Sequence, residues 1–147
     1  DIMKAHNGVI ELVSSDAGGS MFSISLPEAR TPVLVVDDQE VTRKRFADDL
    51  EELDLEVLEA EDGVEALKIL RDVKPRVIIT DLQMPKMDGF ELLKFVREDP
   101  KLAAVPITVV TSMDGFQTEG ETTVLDRAMT LGADGFFTKP VLRETLL

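Results

Sequence analysis

Polar residues of types that can carry chemistry stand at the ends of four short apolar runs in the sequence. They are Asp37 and Asp38, Asp81, Thr111, and Lys139. A carboxylate can act as a nucleophile or bind a metal ion, whereas hydroxyl and ammonium groups donate hydrogen bonds to oxyanions. Two ends supply carboxylates, one a hydroxyl and one an ammonium group, so the set suits an aspartyl phosphate with a divalent cation beside it.

The three acids also allow simpler interpretations. A lone aspartate at a strand end, such as Asp81, often caps a helix. Three carboxylates that share one crevice repel each other, and they are also consistent with a solvated acidic rim. Hard Mg²⁺ prefers oxygen ligands and is usually held by one or two carboxylates together with a phosphate. The Thr and Lys at neighbouring strand ends favour the magnesium site over the rim.

The segments that must position these residues alternate between strand and helix patterns. Apolar, β-branched runs typical of buried strands occur at residues 33–36, 55–60, 77–80, 106–110 and 135–138. Helical spacing follows each of them, at residues 41–53, 64–73, 90–97, 125–131 and 141–147. In the first helix we expect the core face to hold Val41, Phe46, Leu50 and Leu53. Five strand–helix units with short links predict an α/β fold, a doubly wound parallel sheet that binds ligands at its carboxyl edge.

Residues 33–147 resemble the receiver domain of two-component response regulators. The resemblance is carried by four segments, each at a strand end: Val35–Asp38, Thr80–Gly89, Val110–Ser112 and Leu131–Pro140. It implies a flavodoxin-like, five-stranded parallel sheet of order 2-1-3-4-5. It also implies a domain that takes a phosphoryl group from phosphohistidine in a Mg²⁺-dependent reaction and then changes conformation.

The resemblance implies a role for each site residue. Asp81 is the phosphoacceptor. The implied Mg²⁺ ligands are Asp37, Asp38, Asp81 and the backbone carbonyl of Gln83. Lys139 pairs with the phosphoryl group, Thr111 hydrogen-bonds it, and Phe136 takes the place of the aromatic switch residue. For Phe136 a plain core phenylalanine is the alternative.

The chain departs from the receiver pattern between Thr111 and Lys139. That stretch is several residues longer than usual, and residues 114–120 are the expected excess. Gly115 and Gly120 favour a mobile loop there, so we expect the switch to reorder the loop rather than tilt a rigid helix.

The first thirty residues carry a second resemblance. We expect Asp1 to His6 to end a helix, and residues 9–13 and 21–26 to form a hairpin. This segment looks like the C-terminal end of the ATP-binding domain of sensor histidine kinases. Its nucleotide-binding boxes are absent, so we expect no ATP binding by residues 1–29, and His6, the only histidine, is expected to be structural.

The two resemblances in this order predict a fragment of a hybrid sensor histidine kinase. Residues 1–29 are then a kinase remnant, 30–32 a linker and 33–147 the receiver. A histidine kinase or histidine phosphotransfer protein is the expected partner, in the cytoplasm. A hairpin alone is marginally stable, so we expect residues 1–29 to bury the apolar face of the hairpin on the receiver or on a second chain, and we favour a homo-oligomer.

Composition limits the other functions. The chain has 147 residues, no cysteine and a net charge of −13, which disfavours binding to nucleic acid. No apolar run is long enough to span a bilayer. The rival functions are an aspartate-nucleophile phosphatase, a nucleotide-binding module and a degenerate receiver that only docks. Gln83 cannot supply the acid that a phosphatase needs two residues after its nucleophile, and no glycine-rich phosphate loop follows any strand.

Overall fold

A computed structural model of the chain describes residues 2–5, 8–16, 19–25 and 31–139. The chain forms two compact units, residues 1–31 and residues 32–147. Among the described residues, no helix combines the length and the apolar character needed to cross a bilayer.

The first unit contains a three-stranded antiparallel sheet of order β1-β2-β3. Its strands are β1 (Ile2–Ala5), β2 (Gly8–Asp16) and β3 (Gly19–Ser25). The predicted hairpin is therefore confirmed, but the predicted helix end is wrong, because Ile2–Ala5 pairs with β2. A helix of so few residues lacks the length to offset its nucleation cost, whereas the edge of β2 offers unpaired backbone groups. His6 lies outside the described residues.

The second unit is built on a parallel five-stranded sheet. Its strands are β4 (Val33–Val36), β5 (Val57–Ala60), β6 (Val77–Thr80), β7 (Ile107–Thr111) and β10 (Gly135–Thr138). They lie in the order β10-β7-β6-β4-β5, which is 2-1-3-4-5 when these five strands are counted along the chain. This confirms the predicted doubly wound, flavodoxin-like topology.

Helices connect consecutive strands. They are α1 (Glu40–Glu52), α2 (Gly63–Leu70), α3 (Gly89–Glu98) and α4 (Val124–Thr130). Asp62, Asp88 and Thr123 cap the last three, because each side chain accepts a hydrogen bond from the backbone N–H three residues later. The predicted helix at residues 141–147 lies outside the described residues.

The strand β4 shows why the sheet is covered on both faces. Leu34 and Val36 belong to one buried cluster with residues of α2, α3 and α4. Val33 and Val35 belong to a second cluster, which includes Phe46 and Leu50 of α1. Successive side chains of a strand point to opposite faces, so an unbroken apolar run is what a strand between two helical layers requires.

Val41 was expected to face the core, and this is wrong: its side chain is 84% exposed. A helix turns about 100° per residue, which places Val41 about 180° from Leu50 around the axis. Phe46, Ala47 and Leu50 form the buried face of α1 instead.

The long segment after β7 contains a small hairpin. The strands β8 (Thr118–Glu119) and β9 (Thr122–Thr123) pair antiparallel. Gly120 lies in the turn between them with φ +74, a conformation that glycine adopts without strain. The hairpin leads directly into α4, which has only seven residues.

At the amino edge of the sheet, where the strands begin, Arg97 joins three segments. Its guanidinium group donates to the carbonyl oxygens of Gly132, Ala103 and Val105, at 2.6 to 3.0 Å. It also pairs with the Asp134 carboxylate at 2.8 Å. The same carboxylate oxygen accepts from the N–H of Ile107, the first residue of β7. The positive charge therefore has several oxygen partners.

Candidate functional site

The backbone ladder continues past the strand ends at the carboxyl edge and so places the site residues. Three hydrogen bonds do this: Asp37 N–H to the Ala60 carbonyl (3.0 Å), Asp81 N–H to the Val36 carbonyl (2.9 Å) and Lys139 N–H to the Thr111 carbonyl (2.8 Å). Because β4 lies between β5 and β6, and β7 between β6 and β10, the residues that follow these strands meet at one crevice.

Lys139 bridges two of the acids. Its Nζ lies 2.8 Å from Oδ2 of Asp37 and 2.8 Å from Oδ2 of Asp81. The side chains of the two acids are only 4% and 5% exposed, and that of Lys139 14%. One ammonium group thus faces two nearly buried carboxylates, which leaves an excess of negative charge at the crevice.

The pKa values of Asp37 and Lys139 are both raised. Burial raises the pKa of Asp37 above its usual value, and this outweighs the hydrogen bonds from Lys139 and the Gln39 N–H, which lower it. Burial alone would lower the pKa of Lys139, but hydrogen bonds and charge attraction from Asp37 and Asp81 together raise it. Lys139 therefore stays charged, while burial makes the ionised form of Asp37 less favourable than it would be in water.

Asp38 completes the acidic cluster. Its side chain is exposed, and one carboxylate oxygen from each of Asp37, Asp38 and Asp81 lies within 4.8 Å of the others. Three carboxylate oxygens at this spacing, one open to solvent, match the preference of a hard divalent cation for oxygen ligands and retained water. The donor set therefore fits Mg²⁺.

The second oxygen of Asp81 is held by the backbone that follows it. Oδ1 accepts from the N–H groups of Leu82 (2.6 Å) and Gln83 (3.3 Å). Gln83 is exposed beside the cluster, and the metal-ligand role of its carbonyl stays a prediction. Gly89 closes this loop, since its N–H donates to the Leu82 carbonyl at 2.9 Å. A Cβ at Gly89 would collide with the carbonyl oxygen of Asp81.

The same loop is tied to the end of β5. The Gly63 N–H donates to the Met87 carbonyl at 3.2 Å, and Lys86 Nζ lies 3.5 Å from the Asp62 carboxylate. Lys86 has φ 65, a conformation uncommon outside glycine. The Glu65 N–H is the main cause that lowers the pKa of Asp62. Asp62 is thus a buried acid at the same edge whose charge is compensated.

Arg43 contacts the backbone of the acid pair, and the sequence analysis did not single it out. Its Nη1 donates to the carbonyl oxygen of Asp37 at 2.7 Å. Its Nε pairs with Oε1 of Glu59 at 3.1 Å, and its side chain is 14% exposed. The sequence gives only a weak indication of this contact, because predicting it requires knowing that α1 packs beside β5.

Thr111 and Phe136 lie on adjacent strands. Thr111 is fully buried, and its hydroxyl oxygen accepts from the Met113 N–H at 3.3 Å. Phe136 is half-buried against the main core cluster. A Cβ at Gly115 would lie 3.0 Å from the Phe136 ring, so the segment after β7 packs directly on this ring.

Comparison with known proteins assigns the family. Residues 33–147 match the family model described as the response regulator receiver domain. The chain belongs to the response regulator receiver domain family. It is 30% identical over 109 residues to the polar-differentiation response regulator DivK of Brucella anthropi, a match that covers 74% of this chain and 84% of DivK.

Solved structures show the same fold. The Vibrio cholerae chemotaxis protein CheY4 is 36% identical, with a TM-score of 0.70 over 80% of this chain and 93% of that one. The signal receiver domain of a signal transduction histidine kinase from Syntrophus aciditrophicus is 28% identical, with a TM-score of 0.69 over 79% of this chain and 83% of that one. The receiver described here therefore resembles a chemotaxis protein as well as the receiver domain of a signal transduction histidine kinase.

Proposed function

We propose that this receiver takes a phosphoryl group from phosphohistidine onto Asp81. The observation that supports this most directly is the Lys139 ammonium group, 2.8 Å from Asp81 and from Asp37 at the carboxyl edge of the sheet. A buried carboxylate is suited to accept a phosphoryl group when an ammonium group lies beside it and further acids would hold a divalent cation there. The negative charge of the phosphoryl group would then meet positive charge at the site.

In this proposal one oxygen of Asp81 forms a bond to phosphorus. The bond between phosphorus and the donor histidine nitrogen breaks, and that nitrogen keeps the electron pair. Lys139 and the Thr111 hydroxyl donate hydrogen bonds to phosphoryl oxygens. Mg²⁺ held by Asp37, Asp38 and Asp81, together with the Gln83 carbonyl, would neutralise the crowded negative charge. Water later hydrolyses the aspartyl phosphate.

Intact-mass spectrometry after incubation with acetyl phosphate and Mg²⁺ tests the phosphoacceptor. The parent should gain one phosphoryl group and Asp81→Asn none. As a matched control, Asp88→Asn changes an acid in the same loop and should be labelled like the parent. Labelling that persists in Asp81→Asn contradicts the assignment. A parent that takes no phosphoryl group under any donor supports the alternative, a receiver that serves only as a docking module.

Phosphorylation should also act on Thr111 and Phe136. The hydroxyl gains a charge-assisted bond to the phosphoryl group, and Phe136 turns inward as Thr111 moves. Because Gly115 packs on the Phe136 ring, the segment 112–131 should respond with it. Hydrogen exchange with beryllofluoride, which stands in for the phosphoryl group, should show new protection there. In Thr111→Ala this protection should be largely lost, and protection confined to the neighbours of Asp81 would contradict a switch.

The proposed donor is a histidine kinase or a histidine phosphotransfer protein in the cytoplasm, and the proposed parent is a hybrid sensor histidine kinase. The order of the two resemblances supports this origin, as does the likeness to a receiver from a signal transduction histidine kinase. The reading frame upstream of residue 1 tests this origin: a frame without a kinase core rejects it.

We also propose that the chain associates through residues 1–29. Light scattering on the chain with and without these residues tests this, and a monomer in both cases rejects the association.

A further inference from the structure

The contact between Arg43 and the acid pair suggests a role outside the residues of the site itself. Arg43 is the fourth residue of α1, and its N–H donates to the carbonyl of Gln39, the residue that precedes the helix. Its guanidinium group reaches back to the carbonyl oxygen of Asp37 at 2.7 Å. That oxygen is part of the peptide unit that joins Asp37 to Asp38.

The three acceptor oxygens of Asp37 are all occupied. Oδ1 accepts from the Gln39 N–H at 2.8 Å, Oδ2 from Lys139, and the carbonyl oxygen from Arg43. The first two bonds fix the side chain of Asp37, whereas the Arg43 bond fixes the plane of the following peptide. This plane sets the direction from which the exposed side chain of Asp38 leaves the backbone.

Arg43 is itself held in place by β5. Its Nε pairs with Oε1 of Glu59 at 3.1 Å, while Oε2 of Glu59 pairs with the exposed Lys44, also at 3.1 Å. Glu59 lies opposite Val35 in the register of β4 and β5. A planar guanidinium fork can bond both acceptors at once, which a lysine ammonium does less well at this separation. Glu59, Arg43 and the Asp37 carbonyl thus form a continuous link from the sheet to the acid pair.

We propose that Arg43, anchored by Glu59, is a positioning residue that aims Asp38 and thereby sets the affinity of the acidic cluster for Mg²⁺. The inference rests on the proposed function, because it assumes that the cluster binds this ion. Arg43 touches neither Asp81 nor Lys139 in the described contacts, so its effect falls on ion binding rather than on phosphoryl transfer. Mutation of groups that orient metal ligands typically lowers metal affinity by about 10- to 100-fold.

The test is a Mg²⁺ titration of the parent and of Arg43→Met, which keeps the length of the side chain and removes its donors. Amide NMR signals of isotope-labelled protein suit a chain without Trp or Tyr. The Mg²⁺ dissociation constant should rise about tenfold in Arg43→Met. The rate constant of labelling by acetyl phosphate at saturating Mg²⁺ should stay within about twofold of the parent, because no group that touches Asp81 is removed.

Two further variants separate positioning from general loosening. Lys44→Gln removes the other partner of Glu59 and should leave the dissociation constant unchanged. Glu59→Gln should weaken Mg²⁺ binding, and combined with Arg43→Met it should add little, because both act through one link.

Three results overturn the inference. They are an unchanged dissociation constant in Arg43→Met, a saturating rate that falls together with affinity, and an equal loss in Lys44→Gln. If the parent itself shows no response to Mg²⁺, the ion-binding part of the proposed function fails as well. That failure differs from a failure of the inference about Arg43, because it is seen in the unsubstituted chain.

Discussion

The two edges of the five-stranded sheet handle charge in opposite ways. At the amino edge, Arg97 is surrounded by carbonyl oxygens and the Asp134 carboxylate, so its charge is matched on several sides. At the carboxyl edge, Asp37 and Asp81 share the single ammonium group of Lys139, and Asp38 adds further negative charge. The matched edge stabilises the fold, whereas the excess negative charge at the carboxyl edge attracts a cation.

Arg97→Ala should cause the largest loss of stability and should leave the chemistry intact. It removes charge-assisted bonds to three carbonyl groups, of which those of Gly132 and Val105 are partly buried, so we expect about 3 kcal/mol of destabilisation. Urea unfolding measures this change. Labelling of Asp81 by acetyl phosphate, measured where the variant is still folded, should match the parent.

Arg45→Ala is the matched control, because Arg45 is an exposed arginine on α1. Its effect should be within about 0.5 kcal/mol. If Arg97→Ala also abolished labelling of the folded protein, the stabilising role of the amino edge could not be separated from the chemical role of the carboxyl edge.

Mg²⁺ should stabilise the parent by about 2.7 kcal/mol at a hundredfold excess over its dissociation constant, because it binds only the folded cluster. Asp38→Ala should melt at a higher temperature than the parent in chelator, since one repelling charge is gone, and should gain little from Mg²⁺. Thermal melts with chelator and with Mg²⁺ test both statements.

Asp48→Ala provides the comparison, since it removes an exposed acid of α1 away from the cluster. This variant should keep the full response to Mg²⁺. A parent whose melting temperature ignores millimolar Mg²⁺ would refute the view that the carboxyl edge stores unmatched charge.

Asp62→Ala should have the smallest effect, about 1 kcal/mol at pH 7, from the lost helix cap. The pKa of Asp62 is lowered in the folded state, so its ionised form stabilises the fold above the unfolded pKa. This contribution is lost as the pH falls from the unfolded pKa through the lower, folded pKa.

Asp62→Asn keeps a capping oxygen but cannot titrate, which isolates the charge. The stability difference between the parent and Asp62→Asn should be constant from pH 7 to pH 5 and shrink toward pH 3 in urea unfolding. A stability difference between the two proteins that grew as the pH fell would contradict a lowered pKa of Asp62 in the folded state. Because Asp62 lies at the same edge as Asp37, this result would show that compensation of charge, rather than location, separates the two behaviours.

The sequence carried enough information to predict the sheet and the meeting of Asp37, Asp38, Asp81 and Lys139. Buried strands can be recognised in the sequence as apolar runs, and the carboxyl ends of parallel strands lie at one edge of the sheet. Val41 was misassigned because its spacing from Phe46 resembles a helical repeat without matching one. The strand Ile2–Ala5 was missed because strand pairing depends on an edge elsewhere in the chain. Arg43 was missed for a similar reason, since its partners come from β5 and from a backbone carbonyl.

The loop between Asp81 and Gly89 has a consequence for ligand affinity. It is closed at its neck by the bond from the Gly89 N–H to the Leu82 carbonyl, and at that point there is no room for a side chain. Closing a loop lowers the conformational entropy of the chain. Here that loss accompanies folding, so it does not recur when an ion or a phosphoryl group arrives. Binding at Asp81 therefore starts from a loop that is already ordered.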